Sequence, residues 1–359
     1  MYLKIRRLVP LMIVIICLPA IWHLLYPGYF SVHDDMHPAW ILEMYRAIQS
    51  GQNPPSWAPD LSYGYGYPLF HFIYPLPYYL GSVFYALFGD LIWSVKSVYI
   101  ISILGSAFAM YKFARHHYSL APSLLATILY IYTPYRAVNI YVRGALGESL
   151  SWVFIPLTFL SIDKATKKMS FTNIFLAGLS IGGLLLTHNI AAYAVAPFAV
   201  LYGIFQITKS KDKIKTFSRI ILISFIGLSV SAYFWIPALI DKRLMVEDTI
   251  FNFQDHFPFW KQLIYSKWGY GASLWGPDDG LSFQIGIVNI FNLFISGIIV
   301  LYQIFKIKKV NPTNLFFLIS SLFVLFLMNI RSIWIWQNFP LMTYFQFPWR
   351  LLILMTFFT

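Results

Sequence analysis

The sequence is poor in charge and in cysteine, and both shortages restrict what the protein can be. Only 11% of its 359 residues are charged, whereas 58% are hydrophobic. Soluble domains carry about 25% charged residues, so a soluble enzyme and a disordered chain are excluded. The single cysteine, Cys17, excludes an intramolecular disulfide and gives no information about the compartment. The composition is that of a polytopic membrane protein.

Sequence motifs for nucleotides and for catalytic zinc are also absent. The chain contains no Walker loop, no dinucleotide-binding glycine fingerprint, no His-Glu-x-x-His and no Cys-x-x-Cys. These absences count against ATP-driven transport, Rossmann redox chemistry and zinc proteolysis. The net charge of +12 raises the question of nucleic-acid binding, but the distribution of that charge along the chain gives another explanation.

Long apolar runs alternate with basic clusters along the chain. The first run, 8–26, follows a basic N-terminus and is long enough to cross a hydrocarbon core of about 30 Å. The run at 70–88 contains Pro75 and Pro77, which favour a broken segment at the interface over a span. The remaining predicted spans are 92–112, 119–135, 148–163, 171–187, 190–207, 218–238, 285–304, 313–330 and 346–359.

This topology places every basic cluster on one side of the membrane. Sixteen of the 26 Lys and Arg residues then lie in five inside clusters with two acidic residues, and ten lie outside with twelve acidic residues. Such an asymmetry is the positive-inside rule. It predicts a cytoplasmic N-terminus and removes the reason to expect nucleic-acid binding.

The predicted fold is an all-α bundle of transmembrane helices, one domain over 1–359, with two large outside loops. The first loop, 27–91, contains an amphipathic segment at 38–50 that we expect to lie on the membrane surface. The second loop is 239–284. Only nine residues follow Arg350, too few to cross a membrane, so we expect the C-terminus to be truncated.

An acidic pair flanked by histidines stands where the first helix leaves the membrane. The residues are His33, Asp34, Asp35 and His37. Two adjacent carboxylates can act as a general base, as ligands of a divalent cation such as Mg²⁺ or Mn²⁺, or as both. The structural alternative is that Asp35 or His37 caps a helix whose first position is Pro38. Capping does not require the second aspartate.

Aromatic and charged residues outside the membrane are candidate substrate contacts. Trp57 and Tyr65 lie in a Gly- and Pro-rich stretch that suits a sugar or lipid-headgroup site, or equally an interfacial aromatic belt. Cations at the outer ends of spans meet a lipid phosphate at headgroup depth, or serve as snorkelling anchors. The candidates in these outer connections are Lys96, Arg136, Arg143, Glu148, His188, Asn189 and Arg350.

The second outside loop carries a further acidic pair, Asp278 and Asp279, with His256 earlier in the same loop. Glycine and proline on either side of the pair favour an ordinary turn over a site. We therefore assign no chemistry to this pair.

These motifs resemble the GT-C superfamily of membrane glycosyltransferases, which use polyprenyl-phosphate-linked sugars. The sequence is more closely similar to prokaryotic multi-spanning membrane proteins named as related to 6-pyruvoyl-tetrahydropterin synthase, although nothing in it resembles a pterin enzyme. The stretches that carry the resemblance are His33 to His37, Gly51 to Trp57, Gly64 to Pro68, Tyr74 to Tyr79, Arg143 to Glu148, Thr187 to Asn189 and Gln346 to Arg350.

The resemblance implies a GT-C-type fold and a transferase that acts on the outer face of a prokaryotic cell membrane. The acid of the superfamily's first loop corresponds to Asp34 or Asp35. The donor would be a polyprenyl-phosphate-linked sugar, and the acceptor a hydroxyl of a glycan, a lipid or a protein. In related transferases a lysine often occupies the position of His188, near the lipid phosphate, so the histidine departs from that pattern.

Two other functions fit the same sequence. A transporter or flippase for a lipid-linked glycan would use the same phosphate-binding residues without breaking a bond, and it would be favoured by charges deep within several spans. A non-catalytic membrane scaffold would bind a glycan or a partner protein and would tolerate substitution of the acidic loop.

Overall fold

The computed structural model describes residues 2–245 and 252–359, and these residues form helices joined by turns and short loops. A β-bridge between Ala58 and Tyr67 closes a turn in the first predicted loop. The α-helices are α1 (Tyr2–Ile21), α2 (His37–Gln49), α3 (Leu69–Phe72), α4 (Leu76–Phe88), α5 (Leu91–His117), α6 (Leu120–Ile131), α7 (Pro134–Val138), α8 (Leu146–Ala165), α9 (Phe171–Thr187), α10 (Asn189–Lys209), α11 (Lys213–Ile240), α12 (Trp260–Ile264), α13 (Ile287–Tyr302), α14 (Pro312–Leu327), α15 (Ile333–Asn338) and α16 (Leu352–Phe358).

Several of these helices are long and apolar enough to cross a membrane. Within the described ranges they are Arg7–Leu25, Leu91–His117, Asn189–Lys209, Lys213–Leu244 and Ile287–Ile307. A bent pair, Pro312–Leu327 with Ile330–Asn338, forms a further candidate whose halves meet at 88°. The prediction of an all-helical fold is therefore confirmed for the described residues, with several candidate membrane-spanning helices.

Some predicted spans are shorter or more polar than expected. Helices α6 and α9 have 12 and 17 residues, about 18 and 25 Å at 1.5 Å per residue, which is less than a hydrocarbon core of about 30 Å. Helix α6 ends before Pro134, because the residue preceding a proline is disfavoured in helical conformation. Helix α8 has 20 residues but includes Glu148 and Asp163. As predicted, 70–88 is broken, into α3 and α4.

Helix α2 confirms the predicted amphipathic helix, but it packs into the protein on more than one face. It contacts α4 and α5, and Ile41 and Met44 are fully buried. Glu43 is also buried, and its carboxylate accepts the main-chain N–H of Asp60 at 3.0 Å. Helix α2 therefore fixes the first loop to the helix bundle as well as carrying a polar face.

The chain forms two compact units. The first consists of Met1–Ile131, Asn139–Tyr193 and Ala199–Met245, and the second of Tyr132–Val138, Ala194–Phe198 and Val246–Thr359. In the first unit α5 packs against α6 and α8, and α9 packs against α11. In the second unit α16 packs against α7 and α14. The acidic pair of the first loop lies in the first unit.

Candidate functional site

Main-chain hydrogen bonds hold the acidic pair against a segment more than 100 residues away in sequence. The N–H groups of His33 and Asp34 donate to the carbonyls of Val142 and Arg143, at 3.0 and 2.8 Å. The side chains of Asp34 and Asp35 remain exposed to solvent. Two carboxylates that are open to a substrate therefore stand beside the buried residues that begin α8.

Gly144 makes this close approach possible. It has a φ of 70°, and an added Cβ would lie 2.7 Å from Val32 and 3.1 Å from the carbonyl oxygen of Asp34. We expect Gly144→Ala to lower the free energy of unfolding by about 1–3 kcal/mol, because strain in the left-handed region adds to a steric overlap. Thermal unfolding of the detergent-solubilised protein measures the change.

Gly297→Ala is the matched control for that substitution. Gly297 lies within α13, its φ is not positive, and an added Cβ there would meet nothing within 4 Å. Alanine favours a helix over glycine by up to about 1 kcal/mol, so we expect an unchanged or higher melting temperature. Equal melting temperatures for the two variants would contradict the assigned role of Gly144.

His37 forms a second bond to the same segment. Its Nε2 lies 2.7 Å from the Gly144 carbonyl, which can only accept, so Nε2–H donates and Nδ1 accepts from the Tyr78 hydroxyl at 3.2 Å. The Leu146 amide, 3.4 Å from Nε2, cannot also donate to a nitrogen that carries a hydrogen. Helix α2 begins after Met36 without a side-chain cap, so the predicted capping role is wrong and the ring anchors the loop.

The buried ring makes this anchor sensitive to pH. Burial lowers the pKa of His37 below the usual 6.5, against the opposing charge of Asp34. As the pH falls through 6.5, His37 takes up a proton in the unfolded chain but stays neutral in the folded protein. The stability that the neutral, buried ring contributes is therefore present above pH 6.5, and it is lost as the pH falls toward the folded-state pKa. We expect the melting temperature to fall between pH 7.5 and 5, and to fall less in His37→Gln. Parallel profiles for the two proteins would contradict this assignment.

A buried ion pair lies next to the anchored loop. The Nη1 atom of Arg143 donates to Glu148 Oε2 at 2.7 Å and also to Asn139 Oδ1. The amide of Asn139 donates to the other carboxylate oxygen of Glu148 at 3.0 Å. A π-helical turn, Asn139–Arg143, brings these side chains together just before α8. Glu148 therefore counters the charge of Arg143, and the predicted contact between Arg143 and a phosphate stays a prediction.

Two tyrosines that the sequence did not single out lie close to the acidic pair. The hydroxyls of Tyr29 and Tyr99 are buried and have no hydrogen-bond partner among the residues that the structure describes. Tyr99 interacts electrostatically with Asp34 and Arg143. Burial, with the charges of Asp35 and Asp34, raises the pKa of Tyr29 to about 12. An unsatisfied buried hydroxyl costs about 1–3 kcal/mol, so these groups are suited to bind polar atoms of a ligand.

His188 lies against the same helices. Its ring centroid is 4.9 Å from that of Tyr74, and an added Cβ at Gly147 would overlap both Tyr74 and the Thr187 carbonyl. The start of α8 therefore packs closely against the end of α9. Nδ1 of His188 accepts the N–H of Ala191 at 3.0 Å, so a neutral ring carries its hydrogen on Nε2.

The first unit therefore brings together much of the predicted site. Tyr78 contacts His37 by a hydrogen bond and stacks on Tyr74 with a centroid separation of 6.3 Å. Because Tyr74 also contacts the ring of His188, the two tyrosines connect His37 to His188. The Tyr-Pro-Leu-Pro-Tyr-Tyr stretch indicated Tyr74 and Tyr78, whereas Tyr99 is one of several hydroxyl residues in the apolar helix α5 and belongs to no motif. The predicted residues in this assembly are His33, Asp34, Asp35, His37, Arg143, Glu148 and His188.

Four other predicted contacts occupy different positions. Lys96 is buried, and its Nζ donates to the Tyr26 carbonyl just after α1. The Oδ1 atom of Asn189 accepts the next main-chain N–H at 2.9 Å. Trp57 and Tyr65 are 44% and 87% exposed. Lys96 thus ties α5 to the end of the first span, and substrate contacts for all four stay predictions.

Arg136 and Arg350 belong to the second unit. Arg136 is buried in α7, and the guanidinium of Arg350 lies 5.3 Å from the Phe347 ring centroid and 5.9 Å from that of Trp349. These distances are typical of cation–π contacts. The predicted phosphate contacts of both arginines stay predictions.

The second acidic pair forms a turn, as expected. The Asp279 carboxylate accepts main-chain N–H groups of Leu274 and Leu281, both at 3.3 Å. Burial raises the pKa of Asp279 to about 6 even though these donors favour the ionised form. Asp278 is exposed, so only one carboxylate of this pair has a structural role.

A divalent cation would have to use the Asp34–Asp35 pair. Among residues 2–245 and 252–359 there is no group of three or more His, Cys, Asp or Glu side chains placed to hold a metal ion. Two carboxylates can bind Mg²⁺ only when waters or substrate oxygens complete the shell. We therefore derive no catalytic step through a metal, and metal dependence stays a prediction.

Comparison with known proteins gives the family. A model of the 6-pyruvoyl-tetrahydropterin synthase related domain, described as a membrane protein, matches residues 70–267, more than half of the chain. The chain belongs to this family. The matched region includes Arg143, Glu148 and His188, whereas Asp34 and Asp35 precede it. The family description confirms a membrane protein and states no reaction.

A bacterial relative covers most of this family member. An uncharacterized protein of Lactococcus lactis subsp. cremoris (strain MG1363) is 26% identical over 342 residues, which is 90% of this chain and 52% of the relative. The chain therefore spans about half the length of that relative. Its similarity extends beyond the region matched by the family model.

Proposed function

We propose that this protein is a membrane glycosyltransferase of GT-C type, which moves a sugar from a polyprenyl-phosphate donor to an acceptor hydroxyl. The observation that supports this proposal is the exposed Asp34–Asp35 pair, fixed by main-chain bonds beside a buried ion pair and two unsatisfied tyrosine hydroxyls. An exposed carboxylate that the surrounding structure holds in a fixed position is suited to abstract a proton. We place the reaction at the outer face of a prokaryotic membrane, because positive-inside counting puts the first loop outside.

In this mechanism one carboxylate of the pair takes the proton of the acceptor hydroxyl. The acceptor oxygen forms a bond to the anomeric carbon, and the bond from that carbon to the donor phosphate oxygen breaks. The electron pair of the broken bond leaves with the polyprenyl phosphate. A lipid-linked donor needs no nucleotide-binding domain, in agreement with the missing nucleotide motifs.

The leaving phosphate gains negative charge and requires donors. The Nε2–H of His188 is the first candidate, because the Ala191 amide fixes the ring tautomer. Arg143 is the second, although Glu148 already counters its charge. The hydroxyls of Tyr29 and Tyr99 are candidates for binding the sugar or its acceptor, since bonds to a ligand would satisfy both of these groups.

Mass spectrometry of co-purifying lipids tests the donor class. We expect the full-length protein to retain a polyprenyl phosphate or its glycosylated form, and His188→Ala to lose most of it. His23→Ala is the matched control, because His23 is an exposed histidine just after α1. If the wild type retains only bulk phospholipid, the transferase proposal fails and the scaffold alternative is favoured.

A transfer assay then separates the transferase from a flippase. Both would bind the lipid-linked sugar, but only a transferase releases polyprenyl phosphate and glycosylated acceptor in detergent, where no leaflet exists to cross. Lipid retention without product would contradict the enzyme and favour the flippase.

A further inference from the structure

The first unit contains a cavity between residues 9–13 of α1, the C-terminal ends of α5 and α8, and the first residue of α6. It has a volume of about 770 Å³, within the range of about 300–1,000 Å³ that is typical of small-molecule sites. Helices α1, α5, α6 and α8 contribute its walls. The cavity shares no residue with the assembly around Asp34. Helices α5 and α8 line it with residues near their C-terminal ends only.

The lining of this cavity is divided between apolar and cationic side chains. Val9, Ile13, Phe108, Leu120 and Leu160 supply apolar surface. The polar part of the lining consists of Tyr111, Lys112, Arg115, His116 and Lys164. Three formal positive charges therefore border one apolar cavity, and no acidic side chain within 2–245 or 252–359 lines it.

Lys112, Arg115 and Lys164 form no ion pair with an acidic residue in the described part of the chain, although Asp163 interacts electrostatically with the neighbouring His116. Arg115 donates to the carbonyl of Tyr118, a neutral group. Asp163, which precedes Lys164, is buried and accepts hydrogen bonds from other partners. The charge of this cavity is therefore available to an anion.

Asp163 has three hydrogen-bonding partners, and none of them is a lysine. The hydroxyl of Tyr202 and the amide of Gln206 each donate to Oδ1 at 2.6 Å, and His117 Nε2 lies 2.7 Å from Oδ2. Helix α6 also begins at the cavity with Leu120, and a helix N-terminus adds positive potential. Both features favour a negatively charged ligand.

We propose that this cavity binds an anionic phospholipid, with its phosphate on Lys112, Arg115 and Lys164 and its glycerol and upper chains on the apolar wall. A free phosphate would satisfy the cations but leave that wall in contact with water. A zwitterionic lipid would place its own cation beside three others. The predicted cytoplasmic end of the bundle carries most of the basic residues, so the lipid belongs to that leaflet. This proposal does not depend on the glycosyltransferase proposal.

Native mass spectrometry of the full-length protein tests the proposal by titration with phosphatidylglycerol. We expect one saturable site in the wild type, and a loss of affinity on the order of tenfold or more in Lys112→Gln/Lys164→Gln, because each removed cation weakens the attraction to the phosphate. Both lysines are exposed, so their charge can be removed while the fold remains. Circular dichroism and the melting temperature verify that it does.

Lys167→Gln/Lys168→Gln is the matched control. These two lysines are exposed, follow α8 in the same basic cluster and do not line the cavity. We expect this variant to keep its affinity within about twofold of the wild type. Equal weakening in both double variants would show general surface attraction and overturn the site.

Two further titrations test the class of ligand. Phosphatidylcholine with the same chains is expected to bind at least about tenfold more weakly, and glycerol 3-phosphate not to displace the lipid. Equal binding of phosphatidylcholine, or displacement by glycerol 3-phosphate at the concentration of the lipid, would each overturn the anionic phospholipid assignment.

Discussion

Asp34→Asn/Asp35→Asn is expected to reduce sugar transfer by about 10²–10⁴-fold, the usual contribution of a positioned general base. Asparagine keeps the shape of each side chain but cannot accept the proton of the acceptor hydroxyl. Both side chains are exposed and the loop is held by main-chain groups, so the fold is expected to persist. Initial rates with a polyprenyl-phosphate sugar, measured over a range of donor concentrations, give kcat and KM separately.

The two single variants identify the base. We expect one of them to reproduce nearly the whole loss in kcat with KM changed little, since proton abstraction occurs only in the reaction step. Asp278→Asn is the control, because Asp278 is an exposed carboxylate in the other loop. Wild-type rates in all three variants of the pair would show that neither aspartate is the base.

Breaking the Arg143–Glu148 ion pair is expected to have the largest effect on stability. Both side chains are buried, with exposed fractions of 8% and 2%. Removing one partner of a buried pair leaves an uncompensated charge, at a cost of about 3–5 kcal/mol in the free energy of unfolding. We therefore expect Arg143→Met and Glu148→Leu each to lower the melting temperature strongly, or to prevent purification of folded protein.

The double variant Arg143→Met/Glu148→Leu is expected to be more stable than either single variant. The double variant buries no unpaired charge. Its remaining loss in the free energy of unfolding, about 1–3 kcal/mol, comes from the Asn139 side-chain amide, which loses both hydrogen-bond partners. The surface pair provides the control: Lys215 and Asp212 are 71% and 49% exposed at 2.8 Å, so Lys215→Met should cost less than about 1 kcal/mol. Additive effects in the double variant would contradict a coupled pair.

This double variant also separates stability from chemistry. If Arg143 contacts the donor phosphate, the folded double variant binds the lipid-linked sugar poorly and its transfer rate falls. If the arginine only supports the loop, transfer recovers along with the melting temperature. Measuring both quantities on the same preparation distinguishes the two roles.

The sequence predicted the helical class, the helix α2 and the broken segment at 70–88, because hydrophobic periodicity and prolines are local signals. It overestimated the length of the span at 119–135, since hydropathy counts apolar residues and ignores where Pro134 ends a helix. It named Arg143 and Glu148 as separate candidates and did not predict that they form an ion pair. Glu148 is only five residues away, but a π-helical turn between them decides that the two meet.

Other parts of the candidate site depend on contacts that no local pattern encodes. The bond from His37 to Gly144 joins positions 107 apart, and its cause is the packing of α2 and α8 around shared neighbours. The Tyr99 hydroxyl is one of several along α5, and no sequence pattern distinguishes it from the others, so its burial could not be predicted before the helices were placed. Proximity of this kind is a tertiary property.

The loop that carries the acidic pair is held by main-chain donors at positions 33 and 34. Such bonds do not depend on the identity of the side chain, and proline is the one residue that cannot donate them, because it has no main-chain N–H. A library randomised at His33 and Asp34, with proline omitted, should therefore remain folded while its chemistry varies. The path of this loop is therefore set separately from the reactive groups that it presents.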